Sequence, residues 1–319
     1  ASGHGGSEED EEIPDAEILD PYEAGRSQMP ALAAEDVGSV THLDPLPSRA
    51  LKDASPRLSI WTPPGYPAGK TRYGVVYMLD GQNLFDPKLA GYGKVWRADT
   101  TAAHMIADGR IPPVIIVGIW SDGPSRYRTY FPKTLYTAAR GPMRAEMDRL
   151  AGGPMVSDKF LRYVATELKP WVDKNYATLP DRAHTTIIGS SAGALIALEA
   201  IATWPRVFGQ AACVSMHWPL GDPSKVDADG KPVQALWTTY FRRTLRKPGG
   251  RKIWFDRGTA TLDASYEPYL EREADELVKA GWTRDTDFRA ETYYGAEHDE
   301  NYWAARLPDM LQWLIGKTA

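Results

Sequence analysis

The chain is nearly free of cysteine: Cys213 is its only one. One thiol excludes an intrachain disulfide and a thiolate zinc cluster. In the apolar run Ala211-Ala212-Cys213-Val214-Ser215 it reads as a buried core thiol. There is no apolar run long enough to span a bilayer, so no membrane partner is expected. Positive charge is not in excess either. Against 42 Asp and Glu stand 37 Lys and Arg, a net charge of −5, which gives no reason to expect nucleic acid as a partner. No internal repeat is visible. The polar run Glu297-His298-Asp299-Glu300 lacks the spacing of a metal-binding helix motif, so no metal is expected. Nothing in the pattern fixes an oligomeric state.

What is present suits a globular protein rich in aromatics, with 11 Trp and 16 Tyr among 319 residues. Some of these rings are expected to line a pocket for sugar or aromatic substrates. Residues 1–34 are rich in Gly, Ser, Glu and Asp and are expected to form a flexible acidic segment. The start at Ala1-Ser2-Gly3 suits cleavage of an export signal, which favours a periplasmic or secreted location, although a trimmed chain would look the same.

Beyond this tail, strand and helix patterns alternate. Strands are expected at Leu58–Thr62, Tyr73–Leu79, Val114–Ile119, Thr185–Ile188, Gln210–Ser215, Lys252–Asp256 and Phe288–Tyr294. Helices are expected at Asp99–Ala107, Ser157–Asn175, Ala194–Thr203, Tyr266–Lys279 and Tyr302–Ile315, the second capped by Ser157 or Asp158. The alternation predicts an α/β fold with a mostly parallel central sheet and helices on both faces. Met143–Met155 and Pro219–Pro248 read as insertions expected to shape the active-site entrance.

The segment Thr185-Thr186-Ile187-Ile188-Gly189-Ser190-Ser191-Ala192-Gly193 places Gly-x-Ser-x-Gly between a strand and a helix. In that context the middle serine sits on a sharp, strained turn, and the helix start aims unpaired N–H groups at it. The glycines allow the tight turn and the close packing of helix on strand. Ser191 is therefore the candidate nucleophile. A free hydroxyl is too weak an acid to attack unaided, so a base is required. Of the six histidines, only His298 follows the last strand, where a doubly wound hydrolase carries its base. For the acid, Asp256 near the strand end and Asp263 on the loop compete. Asp263 is favoured because a loop position can reach the imidazole and fix its tautomer. The oxyanion donors are expected to be the amides of Ala192 and of Gln82, with Asn83 next, on the loop after Tyr73–Leu79; a plain loop with turn bonds from Asp80 and Asp86 is the competing reading. Asn83, Trp120, His217 and Trp218 are candidate pocket-lining residues, with a packed tryptophan and a hydrogen-bonded histidine as the competing reading of the last two.

The four blocks Val76–Asp86, Gly189–Gly193, Phe255–Asp263 and Gly295–His298, in this order, resemble the putative-esterase branch of the α/β-hydrolases. That branch includes esterase D-like enzymes, feruloyl and acetyl-xylan esterases, siderophore esterases and mycolyltransferases. The resemblance covers about Ser48 to Gly316. It implies an α/β-hydrolase fold, a single catalytic domain over 35–319, and a Ser191–Asp263–His298 triad. It also implies cofactor-free hydrolysis of short-chain, aromatic or sugar-linked esters through an acyl-enzyme. The family often has Arg-x-x-Glu-Tyr-x-Pro after the Val114–Ile119 strand, whereas Thr129 occupies the glutamate position here. Acyl transfer by the same triad, peptide hydrolysis, and ligand binding on an inactive hydrolase scaffold are the alternatives.

Overall fold

The computed structural model describes residues 32–33, 36–226 and 231–317; the acidic segment expected over 1–34 lies, apart from 32–33, outside the described residues. The strands are β1 (Ser39–Leu43), β2 (Leu58–Thr62), β3 (Gly74–Leu79), β4 (Val114–Ile119), β5 (Thr185–Ser190), β6 (Gln210–Val214), β7 (Lys252–Gly258) and β8 (Phe288–Tyr293). They form one sheet in the order β1-β2-β4-β3-β5-β6-β7-β8. Only β1–β2 and β2–β4 are antiparallel; every other pairing is parallel. The sheet is thus mixed and mostly parallel, as the alternation predicts.

Helices cover both faces, which is why the central strands are continuous apolar runs. Along β3, Val75, Tyr77 and Leu79 point into one core while Val76 and Met78 point into the other. The first core holds side chains from α2 (Arg126–Tyr130), α3 (Lys133–Ala138), α4 (Gly141–Ala151), α5 (Ser157–Tyr163), α6 (Lys169–Asn175), α7 (Ala192–Thr203), α8 (Lys231–Thr244) and α9 (Leu270–Lys279). The second is built with α1 (Ala98–Ala107) and α10 (Glu300–Ile315). α7 is buried on nearly every side, and its one buried charge, Glu199, is satisfied by the hydroxyls of Thr134 and Tyr240.

Two expectations are corrected. The helix predicted over Ser157–Asn175 is two helices joined by a π-helical turn at Val164–Leu168. Pro170 accounts for the break: it has no N–H for the carbonyl four residues back, and its ring crowds that carbonyl. Ser157 does not cap the helix; its hydroxyl accepts from the Lys133 amide instead. The loop after β7 that carries Asp263 forms a 3-10 turn, Thr261–Tyr266, in which Asp263 and Tyr266 are buried and which precedes α9.

Candidate active site

The loops after β5, β6, β7 and β8 meet at the carboxyl edge of the sheet, where open α/β sheets bind ligands. Ser191 follows β5 directly, with φ 59° and ψ −122°, a conformation that L-residues avoid and that marks a constrained turn. β6 holds it in place: the Ser191 amide donates to the Val214 carbonyl at 2.9 Å, and the His217 amide donates to the Ser191 carbonyl at 3.2 Å. The two glycines of the motif are not equivalent. A Cβ on Gly189 would fall 2.2 Å from the Gly193 carbonyl oxygen, whereas one on Gly193 would meet nothing closer than 3.5 Å. Close helix–strand packing rests on Gly189.

His298 follows β8 and is brought to Ser191 by the approach of two loops. Gly258 permits it, since a Cβ there would lie 2.2 Å from the Ala296 carbonyl. That carbonyl accepts from Thr259 and Ala260, and the His298 amide donates to Thr261 Oγ1 at 2.9 Å. His298 Nε2 then lies 2.9 Å from Ser191 Oγ, and Nδ1 lies 2.6 Å from Asp263 Oδ1. The rings of Trp303 and Tyr266 stand edge-on to the imidazole, with centroids at 5.1 and 5.9 Å.

Of the two competing aspartates, Asp263 is the one beside His298. It is fully buried. Burial alone would raise its carboxyl, but hydrogen bonds from His298, Ser215 and Gly258, with the His298 charge, hold it below the usual range. Asp256 braces the structure behind it. It accepts from the Ser215 amide at 2.9 Å, Trp254 Nε1 at 2.9 Å and Arg306 Nη1 at 3.3 Å. Burial pushes Asp256 up, against the pull of Arg306. Ser215, with φ 44°, connects the two carboxylates: its amide serves Asp256 and its hydroxyl serves Asp263.

Near Ser191, Ala192 is the first residue of α7 and Gln82 sits in the first turn of a short 3-10 helix, positions whose amides have no partner within the helix. Gln82 lies in the 3-10 turn Gly81–Asn83, and its side chain is clasped by Ser121 through three hydrogen bonds. The same loop is fixed by an ion pair that sequence reasoning missed. Arg126 makes a bidentate contact with Asp80, at 3.0 and 2.7 Å, and reaches the Ser190 carbonyl at 3.3 Å. Its position at the start of the Arg-x-x-x-Tyr-x-Pro stretch was the available signal. Ser215, Tyr266, Trp303 and Arg306 carried no comparable signal.

A cleft of about 850 Å³ opens over Ser191 and His298. Asn83 lines it, and Gly91 donates to Asn83 Oδ1. The other pocket candidates lie elsewhere. Trp120 borders a separate cavity of about 470 Å³ behind Ser121 and Arg126, where its Nε1 donates to Ser59. His217 is buried: Nε2 donates to the Gly221 carbonyl, so Nδ1 must accept from the Tyr266 hydroxyl. Burial above all pushes it down to about 4, so it is neutral. Trp218 is 1% exposed and packs against Tyr269, Phe241, Phe255 and Trp237. The packed-tryptophan, hydrogen-bonded-histidine reading therefore describes this pair. None of the described residues of Met143–Met155 or Pro219–Pro248 borders the Ser191 cleft. Met143, Pro232, Leu236 and Arg243 line a groove of about 1220 Å³ over α7 instead. Among the described residues, no group of three His, Cys, Asp or Glu side chains is placed to hold a metal. No described helix is long and apolar enough to cross a membrane.

A family model described as "Putative esterase" matches residues 48–314. The ferri-bacillibactin esterase BesA of Bacillus subtilis is 28% identical over 165 residues, which span 49% of this chain and 51% of BesA. The enterobactin esterase of Shigella flexneri, solved with 2,3-dihydroxy-N-benzoyl-glycine, is similar in fold, with a TM-score of 0.61 and 18% identity over 90% of this chain and 63% of that one. A ferulic acid esterase of Anaeromyces mucronatus, solved with ferulic acid, gives 0.56 and 18% over 86% and 90%. At these identities the solved structures establish likeness of fold alone.

Proposed function

The chain belongs to the esterase family of α/β-hydrolases, and from that premise we propose that it hydrolyses carboxylic esters through Ser191, His298 and Asp263, carried by a single catalytic domain over 35–319. Family and fold together support an esterase or hydrolase activity in general terms. The observation that carries the finer reading is the continuous chain of bonds from Ser191 Oγ through the imidazole to Asp263, at 2.9 and 2.6 Å.

In the proposed reaction, Ser191 Oγ attacks the ester carbonyl as His298 Nε2 takes its proton. Asp263 keeps Nδ1 protonated and stabilises the imidazolium. The amides of Ala192 and Gln82 hold the oxyanion. The acyl–oxygen bond breaks, and the departing alcohol receives the proton from Nε2. Water then attacks the acyl-serine by the same route, releasing the acid and restoring the hydroxyl. The names of the similar esterases point to ester substrates with aromatic acyl groups, and the rings of Tyr127 and Trp303 along the cleft are compatible with one.

A fluorophosphonate probe tests the reading. One adduct is expected on the wild type and none on Ser191→Ala by intact mass, with ester turnover lost by 10³-fold or more, the order expected for removal of a triad nucleophile. Undiminished turnover in Ser191→Ala would refute it.

A further inference from the structure

Thr261 stands in a conformation that its side chain disfavours. Its φ is 54°, and among the described residues it is the one β-branched residue with a positive φ. A branched Cβ crowds the backbone there, and glycine would fit the position without that cost. Such strain persists only where the surroundings over-determine it. Core packing is not what holds Thr261, because it is exposed at the lip of the Ser191 cleft. What its side chain does is accept a hydrogen bond: the His298 amide donates to Thr261 Oγ1 at 2.9 Å.

That bond ties the base to the turn of the acid by a second route. Asp263, two residues further along the same 3-10 turn, holds the imidazole through Nδ1 at 2.6 Å. Alone, that contact fixes one ring atom but not the main chain from which the ring hangs. Thr261 fixes the main chain of the same residue, so both attachments come from one short piece of chain. Upstream, Thr259 Oγ1 accepts from the Gly295 amide at 2.7 Å, and the Thr259 and Ala260 amides donate to the Ala296 carbonyl. Those bonds hold loop to loop; the bond to Thr261 is the one made by His298 itself. Placement matters because Nε2 must take the Ser191 proton across 2.9 Å, and rates fall steeply when reacting groups are displaced.

We propose that Thr261 is a positioning residue for the base: its strained backbone is retained because it puts the hydroxyl where it holds His298 in register with Asp263 and Ser191. The proposal rests on the esterase reading and adds to it a residue that acts through His298.

Labelling by a fluorophosphonate tests it without the natural ester. As Ser191 Oγ bonds phosphorus, fluoride leaves and His298 Nε2 takes the serine proton, so the limiting rate reports how well the base is placed. Thr261→Gly relaxes the backbone and removes the oxygen. Its limiting labelling rate should fall about fivefold, the scale of one hydrogen bond lost, with the half-saturating probe concentration unchanged. Its urea midpoint should be no lower than that of the wild type, because glycine carries no strain at this φ. Thr261→Ser keeps the oxygen and should label within about twofold of the wild type. Equal limiting rates in the wild type and Thr261→Gly overturn the proposal, as does a Thr261→Ser as slow as Thr261→Gly. A Thr261→Gly that loses rate and urea midpoint together reveals a purely structural threonine and also overturns it. In each of these cases labelling of the wild type at Ser191 leaves the serine hydrolase reading standing. A wild type that is not labelled removes both.

Discussion

The Ser215 hydroxyl donates to Asp263 Oδ2 across 2.6 Å, and its neighbours leave it no other direction. Trp303 Nε1 and Arg306 Nη1 approach the same oxygen at 3.0 and 3.1 Å, and both groups can only donate. With its lone pairs taken, the hydroxyl's proton must point at the carboxylate. Asp263 is thereby kept as an acceptor, with Oδ1 left for His298.

Removing that donor should therefore loosen the aspartate more than the fold. Ser215→Gly is the cleaner variant, because the backbone at φ 44° suits glycine. We expect kcat to fall about tenfold with little change in KM, from loss of a charge-assisted hydrogen bond worth about 1.5–3 kcal/mol. Steady-state kinetics, with circular dichroism as the check on folding, would measure it.

The two aspartates should separate in their effects. Asp263→Asn presents His298 with an amide and should lower kcat by about 10³–10⁴-fold, as a wrong tautomer does. Asp256→Asn removes the carboxylate 3.3 Å from the buried Arg306 and leaves it only Asp263, at 3.8 Å, so it should destabilise by about 3 kcal/mol. Its folded fraction should keep activity within about tenfold. Denaturant titration and kinetics on both variants would distinguish the roles.

Substitution at the elbow should be asymmetric. Gly189→Ala forces a methyl to within 2.2 Å of the Gly193 carbonyl, so α7 must move away from β5 and labelling of Ser191 should be lost. Gly193→Ala meets ordinary contact distances and should retain labelling. Equal loss in both would mean that the motif's second glycine is needed for something other than space.

Away from the cleft, Glu273 should set a pH dependence of stability. Its side chain is buried between α8 and α9, Thr238 donates to one oxygen, and the other has no partner. Burial first, then Glu276, push it up to about 7 from an ordinary 4.5. Below about pH 4.5 the group is protonated folded and unfolded alike and contributes nothing. Between about 4.5 and 7 the unfolded chain ionises first, so stability falls as pH rises, and above 7 the full penalty stands. Glu273→Gln should raise stability at pH 8 by on the order of 2 kcal/mol and leave it nearly unchanged at pH 4. Urea titrations at the two values would check this.

Much of this architecture is legible in the sequence because the central strands are buried on both faces. β2 and β4 fall on the predicted residues for that reason. β1 was missed: Ser39–Leu43 is short, largely exposed and without strict alternation, so it carries no periodic signal. α8 falls inside the stretch that reads as an insertion, although Val233, Trp237, Tyr240 and Phe241 repeat at helical spacing. In the site, order along the chain singles out Ser191 and His298 as candidates and leaves Asp256 and Asp263 competing, both lying between them. It does not single out Ser215, Trp303 and Arg306, since the buried bridge they form with the two aspartates is assembled from β6, β7 and α10 and exists only in three dimensions.

The order of the three residues along the chain has a consequence for synthesis. Ser191 leaves the ribosome more than a hundred residues before His298, and α10, which brings Trp303 and Arg306 against the imidazole and Ser215, comes later still. Until β8 has paired with β7 and α10 has docked, the serine is an ordinary alcohol with no base in reach. If Ser191 is the nucleophile we propose, a fluorophosphonate-reactive serine should appear only once β8 and α10 have docked.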